Sequence, residues 1–473
     1  MPTAHAPNRQ AIEFDPDLIE RYEGPAPRYT SYPTAPQFHK GFGAVELAAA
    51  IERSNRAVPA RPLSLYVHIP FCWSPCFYCG CNRIITHDKG RSDTYLAALD
   101  CELDRLAPLF APGRLVRQLH LGGGTPNFLA VEQLAALMAS LKRRFHFPDD
   151  AEDVEAGVEI DPRFADADYM RRLGAIGFNR VSIGVQDFNP AVQQAVNRIQ
   201  SVAETEAVVT GARSGGFRSV NIDLIYGLPK QTLAGFAATL DEVIRIAPDR
   251  VAVYGYAHMP RLFKAQRKIL PEDMPDPALR LRLLGLAIER LGAAGYLYVG
   301  MDHFARPEDE LVRAQDAGTL QRNFQGYSTR GECDIVGLGM SAIGRIGNTY
   351  SQNARDLAGY YLELGHGWLP IMRGIELDAD DVLRRAVISE LMCHGRIDMA
   401  PFGAAYGITF ADYFACELER LSSLVDDGLV ELEPGAIVVT PRGRLLLRVI
   451  AAVFDAYLAE ERGTAEPRYS RAI

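Results

Sequence analysis

The residues best able to do chemistry lie close together. The stretch "HIPFCWSPCFYCGCN" (68–82) holds four of the chain's eight cysteines, Cys72, Cys76, Cys79 and Cys81. Three are spaced C-x3-C-x2-C, and the fourth follows after one glycine. Clustered thiolates suit zinc or an iron–sulfur cluster. A structural zinc site wants four tetrahedral ligands, usually as two separated pairs. Here all four sit on one short loop, no second CxxC or HxxxH pair follows, and Cys79 and Cys81 are awkwardly close for two vertices of one tetrahedron. A cubane cluster normally takes four cysteines. If only Cys72, Cys76 and Cys79 bind, one iron keeps an open position where a substrate group can reach the metal, and an electron carrier becomes a catalyst. Spacing alone leaves both readings open. Pro75 and the aromatics Phe71, Trp73, Phe77 and Tyr78 would shield such a cluster from water.

Short apolar, β-branched runs supply the elements that position this loop. They are "LSLYVHI" (63–69), "VRQLHLG" (116–122), "EAGVEI" (155–160), "RVSIGV" (180–185), "SVNIDLIYG" (219–227) and "RVAVYGYA" (250–257), each followed by a helical pattern. Strands alternating with helices argue for right-handed βαβ units and a parallel sheet, either doubly wound or much of a (β/α) barrel. After the strands come, in turn, the cysteine loop, "GGGTP" (122–126), "EIDP" (159–162), "GVQDF" (184–188), "GLP" (227–229) and "YAHMP" (256–260). Polar and glycine-rich signals thus collect at every strand's C-terminal end, where parallel α/β folds bind ligands and barrels carry their active sites. The expectation is a partial, TIM-barrel-like (β/α)6 arrangement. "GYLYVGMDHFA" (295–305) and "NFQGYST" (323–329) read as closing or lid elements. From about residue 346 the pattern becomes helix, two short strands around a Pro-Gly turn, and helix, as in a winged-helix module. The expected domains are an N-terminal arm (1–45), the catalytic barrel (46–345) and a mainly helical, winged-helix-like C-terminal domain (346–473).

Composition limits the partners. The chain has 473 residues, 48% hydrophobic and 23% charged, with a net charge of −9. That balance is ordinary for a globular protein with a sizeable core and gives no support to binding nucleic acid or an anionic membrane. The winged-helix-like segment carries "DD" and "ELE" where a DNA-binding face would be basic. The N-terminus lacks an apolar signal core and no apolar run approaches the roughly 20 residues of a membrane span. A cytoplasmic protein with reduced thiols is expected.

C-x3-C-x2-C on the loop after the first strand of a parallel α/β domain resembles the radical S-adenosylmethionine (SAM) superfamily. The likeness narrows through "RYTSYPTA", "SLYVHIPFC", "LHLGGGTP", "VSIGVQDFN", "NIDLIYGLPKQT", "GMDHFARPEDEL" and "RNFQGYST". Together they resemble the oxygen-independent coproporphyrinogen III oxidase family from about residue 28 to 345, with weaker agreement to the terminal "YSRAI". This resemblance implies that Cys72, Cys76 and Cys79 hold a [4Fe–4S] cluster whose fourth iron is chelated by SAM. Reductive cleavage of SAM would give a 5′-deoxyadenosyl radical. The radical would start the oxidative decarboxylation of two propionates of coproporphyrinogen III to vinyl groups, giving protoporphyrinogen IX.

By residue-wise match, Tyr66, Gly123, Glu159 and Ile343 would line one SAM molecule. Tyr78, Gly124, Thr125, Gln186, Arg198, Asp223 and Ala257 would line a second, with Tyr78 standing where the family often has phenylalanine. Cys81 and Gln325 are near-site candidates for the chemistry. Cys101, Cys333, Cys393 and Cys416 read as structural. His68, His258 and His303 flank strand ends and either touch substrate or pack. Arg28, in the N-terminal arm, is a candidate cation for a substrate with four carboxylates. A reductant protein is implied as partner, and the chain is expected to be a monomer. The rival reading is a radical SAM paralogue that binds or delivers haem without dehydrogenase activity. The fourth cysteine and the "RYTSYPTA" arm favour the dehydrogenase.

Overall fold

The computed structural model describes residues 12–461 and Tyr469. The start of the N-terminal arm and the rest of the terminal "YSRAI" lie outside the described residues. Two compact units emerge, one made of Phe38–Leu283 and Glu332–Glu376, the other of the chain up to Gln37, Leu284–Gly331 and the chain from Leu377 on.

The first unit contains all six expected strands: β1 (Leu63–Ile69), β2 (Val116–Gly123), β3 (Glu155–Ile160), β4 (Arg180–Gln186), β5 (Ser219–Tyr226) and β6 (Arg250–Gly255). Each pairs in parallel with the next, in sequence order. Helices Gly90–Leu106, Val131–Arg144, Ala167–Ile176, Val202–Ser214 and Leu233–Ile246 make the crossovers.

The chain then contributes four short strands to the second unit: β7 (Leu297–Gly300), β8 (His303–Ala305), β9 (Gln321–Asn323) and β10 (Gly326–Ser328). It returns as β11 (Asp334–Leu338), parallel to β1 on the side away from β2. An antiparallel meander follows, β12 (Ile343–Ile346), β13 (Thr349–Asn353) and β14 (Ile371–Glu376). The sheet therefore runs past residue 345. β13, "TYSQN", is polar in sequence yet buried at all five positions, so its composition does not advertise a strand.

Period-2 alternation sets what each strand shows to the two sides of the sheet. On β4, Val181, Ile183 and Val185 are buried, and Ser182, Gly184 and Gln186 alternate with them. On β5, Val220, Ile222, Leu224 and Tyr226 are buried, with Asn221 and Asp223 between them. Burying each such apolar side chain is worth about 1.5–3 kcal/mol. A one-residue slip would exchange the two faces, so the apolar set also fixes which polar groups reach the inner side.

In the second unit, helix Ala379–His394 packs with a three-stranded antiparallel sheet of Arg396–Asp398, Val430–Glu433 and Ala436–Val439. The Pro-Gly turn between the last two strands has Gly435 at φ 87°. The arm residues Tyr29 and Tyr32 are part of this unit's core, with Val387, Leu391, Phe414 and Phe454. Tyr29 donates to Asp455 at 3.0 Å. Arg28 is ion-paired with Asp302, so its charge is already answered within the protein. Among the described residues no helix is long and apolar enough to cross a membrane.

Candidate active site

The cysteine loop leaves β1 and is pinned at both ends by backbone. Phe71–Cys72 and Ile84–Ile85 pair as short parallel strands, Ile84 N–H donates to Pro70 at 2.7 Å, and Thr86 N–H to Cys72 O at 3.0 Å. Arg83 staples the middle, donating from Nη1 to Cys79 O at 3.2 Å and from Nη2 to Cys76 O at 3.3 Å. His68 Nε2 lies 3.0 Å from Asn82 O and Nδ1 lies 3.1 Å from the Tyr66 hydroxyl. Burial lowers the His68 pKa, so this ring is a neutral tether for the loop. His258 is likewise engaged, its Nδ1 2.9 Å from Tyr256 OH.

Each cysteine meets its own donor. Cys72 Sγ lies 3.2 Å from Thr125 Oγ1. Cys76 Sγ faces Arg198 Nη1 at 3.4 Å and Arg163 Nη2 at 3.7 Å. Cys79 Sγ accepts from the Cys81 N–H at 3.4 Å. Burial pushes the Cys72 thiol up to about 12, while the Cys81 thiol hydrogen bond brings Cys79 down to about 6 against its burial, helped by Arg83. Cys81 is raised in turn by serving as that donor. The eight cysteines form no disulfide. Among the described residues no three His, Cys, Asp or Glu side chains converge for a single metal ion. The donor set around the loop is all sulfur, with hydroxyl, amide and guanidinium groups turned toward it. That chemistry fits thiolate ligands of an iron–sulfur cluster.

The aromatics divide. Phe71 is fully buried, edge-on to Tyr95 at 5.5 Å and tilted against Phe128 at 5.4 Å, so it is core. Trp73 lies over Phe128 at 4.5 Å, with Lys89 Nζ 4.3 Å from its ring.

The three glycines after β2 have three separate reasons. A Cβ on Gly122 would stand 2.7 Å from Glu159 Oε1. Gly123 has φ 111°, and a Cβ there would enter the His68 ring. At Gly124 it would stand 2.6 Å from the Pro70 carbonyl carbon. Gly124 N–H donates to Ile69 O at 2.8 Å and Thr125 N–H to Phe71 O at 2.9 Å, so this turn is clamped to the cysteine loop.

Tyr66, Gly123 and Glu159 come together at the inner face. Tyr66 stacks on His120 at 6.1 Å, His120 Nε2 lies 3.4 Å from Glu159 Oε1, and Gly123 N–H donates to Glu159 Oε2 at 3.1 Å. The Glu159 carboxyl is held below its usual range: burial opposes ionisation, but His120 and the Gly123 N–H outweigh it. Its side chain is 43% exposed although it lies deep in the fold, and Cys81 is also exposed and deep. Groups both accessible and deep line a recess. Ile343 opens β12, its carbonyl carbon 2.7 Å from where a Gly337 Cβ would be.

Gln186, Arg198 and Asp223 gather around Gly184. In register, Gly184 lies beside Asp223. Arg198 donates to Gly184 O from Nε at 3.2 Å and to Asp161 Oδ2 from Nη1 at 3.1 Å. Gln186 sits at φ 69°, an uncommon backbone state for a non-glycine residue. Asp223 accepts from Ser182 Oγ and Asn221 Nδ2, both at 2.8 Å. Tyr78 and Ala257 are linked by Gln266, whose Nε2 donates to their carbonyl oxygens at 2.8 Å and 3.1 Å. Gln325 belongs to the second unit, at the tip of the β9–β10 hairpin, where its N–H donates to Asn323 Oδ1 at 2.8 Å. His303, in the same unit, is edge-on to Tyr327 at 5.4 Å.

Sequence reasoning missed Arg83, Asp161, Arg163 and Gln266. Asp161 stands in the quoted "EIDP" and bridges Arg163 and Arg198 at 2.6 Å and 3.1 Å. Arg83 directly follows "CGCN" and could have been found by asking what stabilises adjacent thiolates. Gln266 has no local signal, because its partners are backbone oxygens, one of them on Tyr78 far away in sequence.

The chain is similar to known proteins over most of its length. The description "Radical SAM superfamily" matches residues 66–243, and "HemN C-terminal domain" matches residues 377–446. The oxygen-independent coproporphyrinogen III oxidase of Pseudomonas aeruginosa is 50% identical over 462 residues, 98% of this chain and 99% of that protein. That of Escherichia coli is 49% identical over 452 residues, 96% of this chain and 97% of that protein. The solved structure of coproporphyrinogen III oxidase (HemN) from Escherichia coli, described as a radical SAM enzyme, superposes with a TM-score of 0.90 at 48% identity. It covers 95% of this chain and 100% of that one.

Proposed function

The chain belongs to the oxygen-independent coproporphyrinogen III oxidases, and on that premise we propose how its own residues carry out the family's reaction. The activity is oxidative decarboxylation of two propionate side chains of coproporphyrinogen III to vinyl groups, without molecular oxygen, by a radical SAM enzyme. Cys72, Cys76 and Cys79 would hold the [4Fe–4S] cluster. Bound there, the cluster and SAM supply a 5′-deoxyadenosyl radical able to take a hydrogen atom from a propionate β-carbon.

The residues of the recess bind, orient and exclude water. Glu159, anionic at working pH, offers a carboxylate to an ammonium or ribose hydroxyl at the first SAM position, beside Tyr66, Gly123 and Ile343. Asp223, Gln186 and Arg198 serve a second SAM position with Tyr78, Gly124, Thr125 and Ala257. Arg198 and Arg163 turn their guanidiniums toward Cys76 Sγ. Asp161 between them keeps both guanidiniums from repelling each other. Trp73, Phe77 and Tyr78 cover the loop. Gln325 acts on substrate or SAM through its amide. The C-terminal module serves as packing for the arm rather than as a DNA reader. The protein works as a monomer in the cytoplasm, a compartment that keeps clustered thiols reduced, and draws the electrons for SAM cleavage from a separate reductant protein.

One observation carries this assignment: three cysteines on the β1 loop, each with its own donor, beside a carboxylate lining a deep recess. The test is anaerobic reconstitution with iron and sulfide, reduction, and addition of SAM with coproporphyrinogen III. Vinyl products together with 5′-deoxyadenosine are expected. Deoxyadenosine without vinyl product would indicate the haem-handling paralogue instead.

Cys81 is assigned as a thiol beside the ligands, not one of them, since its own hydrogen bond goes to Cys79. Cys81→Ser is expected to bind as much iron and sulfide as the parent after reconstitution. Loss of the cluster would make it a ligand.

Asp223 predicts a pH effect. Burial pushes its carboxyl up to about 6 despite the Ser182 and Asn221 donors. It is anionic above that pH and protonated below, so acceptor capacity for a ribose hydroxyl is lost as the pH falls. The apparent kcat/KM for SAM should fall on the acid side with a limb near pH 6, and Asp223→Asn should flatten that limb. A limb unchanged in Asp223→Asn would assign it to another group.

A further inference from the structure

Arg322, on β9, is only 9% exposed. Its Nε donates to Arg28 O at 3.1 Å, and its guanidinium carbon lies 4.9 Å from the centre of the Tyr327 ring. Its Nη1 is buried with no hydrogen-bond partner, and no ion pair is formed among the described residues. Asp302 is taken by Arg28. Cys393 cannot balance the charge either, because burial pushes its thiol up to about 12 and keeps it protonated. The same hairpin carries a second unspent donor, the buried Nε2 of Gln325. A buried guanidinium without a counter-ion is strongly unfavourable, and so is each orphaned donor. Placing both on one hairpin, with the tip fixed by the Asn323–Gln325 bond, makes sense if an acidic acceptor binds there.

We propose that the β9–β10 hairpin is a carboxylate-binding site, with Arg322 as the charged donor and Gln325 as its neutral companion, and that its ligand is a propionate of the substrate. This rests on the coproporphyrinogen reading, in which the ligand carries four carboxylates. The planar guanidinium matches a carboxylate better than a lysine would. Arg28, the cation singled out in the sequence, is engaged elsewhere. Arg322 instead sets how the substrate is held.

The test uses the full-length protein and does not depend on turnover. Binding of coproporphyrin III, the stable oxidised tetracarboxylate, is measured by fluorescence titration beside binding of its tetramethyl ester. Arg322→Gln should weaken the acid by about 30-fold or more, the scale of a lost charge-assisted hydrogen bond, while the ester changes by less than about 3-fold. Arg322→Lys should fall between, keeping the charge but losing the fork. Equal affinity of parent and Arg322→Gln for the acid would overturn the proposal, and so would equal losses for acid and ester, which a merely structural arginine would give. If Arg322→Gln does not fold, Gln325→Met carries the test: selective weakening of the acid supports the site and none sinks it. Vinyl formation by the parent tests the underlying function separately.

Discussion

Gly124→Ala should give a folded protein that takes up less than about a tenth of the parent's cluster iron and loses activity about 100-fold. The reason is what the new methyl group would meet. At Gly124 the obstacles are the Pro70 carbonyl carbon at 2.6 Å, the Pro70 oxygen at 2.7 Å and the Ile69 oxygen at 2.9 Å. All are backbone atoms at the root of the cysteine loop, and two hydrogen bonds hold them against the glycine turn. Relief therefore requires moving the loop. At Gly122 the obstacle is the tip of Glu159, which can swing aside. Overpacking of this kind costs about 1–3 kcal/mol, below the 5–15 kcal/mol typical of a folded domain, so the protein survives. A reactive site displaced by roughly 1 Å loses about 100-fold in rate. Gly113→Ala, where nothing lies within 4 Å, is the matched control. Iron and sulfide per chain and 5′-deoxyadenosine formation are the measurements, and parental values for Gly124→Ala would show that the loop is not clamped there.

Much of this site was legible because parallel strands announce themselves by period and composition. Gln186 and Asp223 came from the motif-by-motif resemblance rather than from the period, and the alternation along β4 and β5 explains why they stand opposite the apolar rows. The spacing of the four cysteines left both readings open, and the resemblance alone singled out Cys72, Cys76 and Cys79; the Cys79–Cys81 hydrogen bond is a contact that spacing does not encode. What escaped were long-range partnerships. Gln266 ties Tyr78 to Ala257 through carbonyl oxygens nearly two hundred residues from one of them, which no local pattern encodes. β13 is a buried strand written in polar residues. Arg28 looked like a spare cation until Asp302 was found beside it, while nothing in the sequence marks the burial of Arg322.

The second large effect is expected at Glu159. Glu159→Gln keeps the shape of the side chain and removes its charge. SAM affinity, measured by equilibrium dialysis on the reconstituted protein, should fall about 10–100-fold, as for a lost charge-assisted hydrogen bond. Cluster iron should stay at the parental level, because Cys72, Cys76 and Cys79 meet Thr125, Arg198, Arg163 and Cys81 rather than Glu159. Both carboxylate oxygens are acceptors in the native site, one for Gly123 N–H and one for His120. An amide can keep its oxygen on Gly123 only by turning its NH2 toward His120, which must then present an acceptor nitrogen. The neutral imidazole can do so, and the Gly123 turn survives. Glu159→Ala leaves both groups without a partner and should add disorder of the glycine turn to the loss of affinity. Because the Glu159 carboxyl lies below its usual range, it stays ionised through neutral and mildly acid pH and contributes no limb of its own near pH 6. The affinity ratio of parent to Glu159→Gln should therefore be flat from about pH 6 to 8. If Glu159→Gln binds SAM as tightly as the parent, the carboxylate only supports Gly123 and His120, and the ligand's cationic group is met by another residue of the recess.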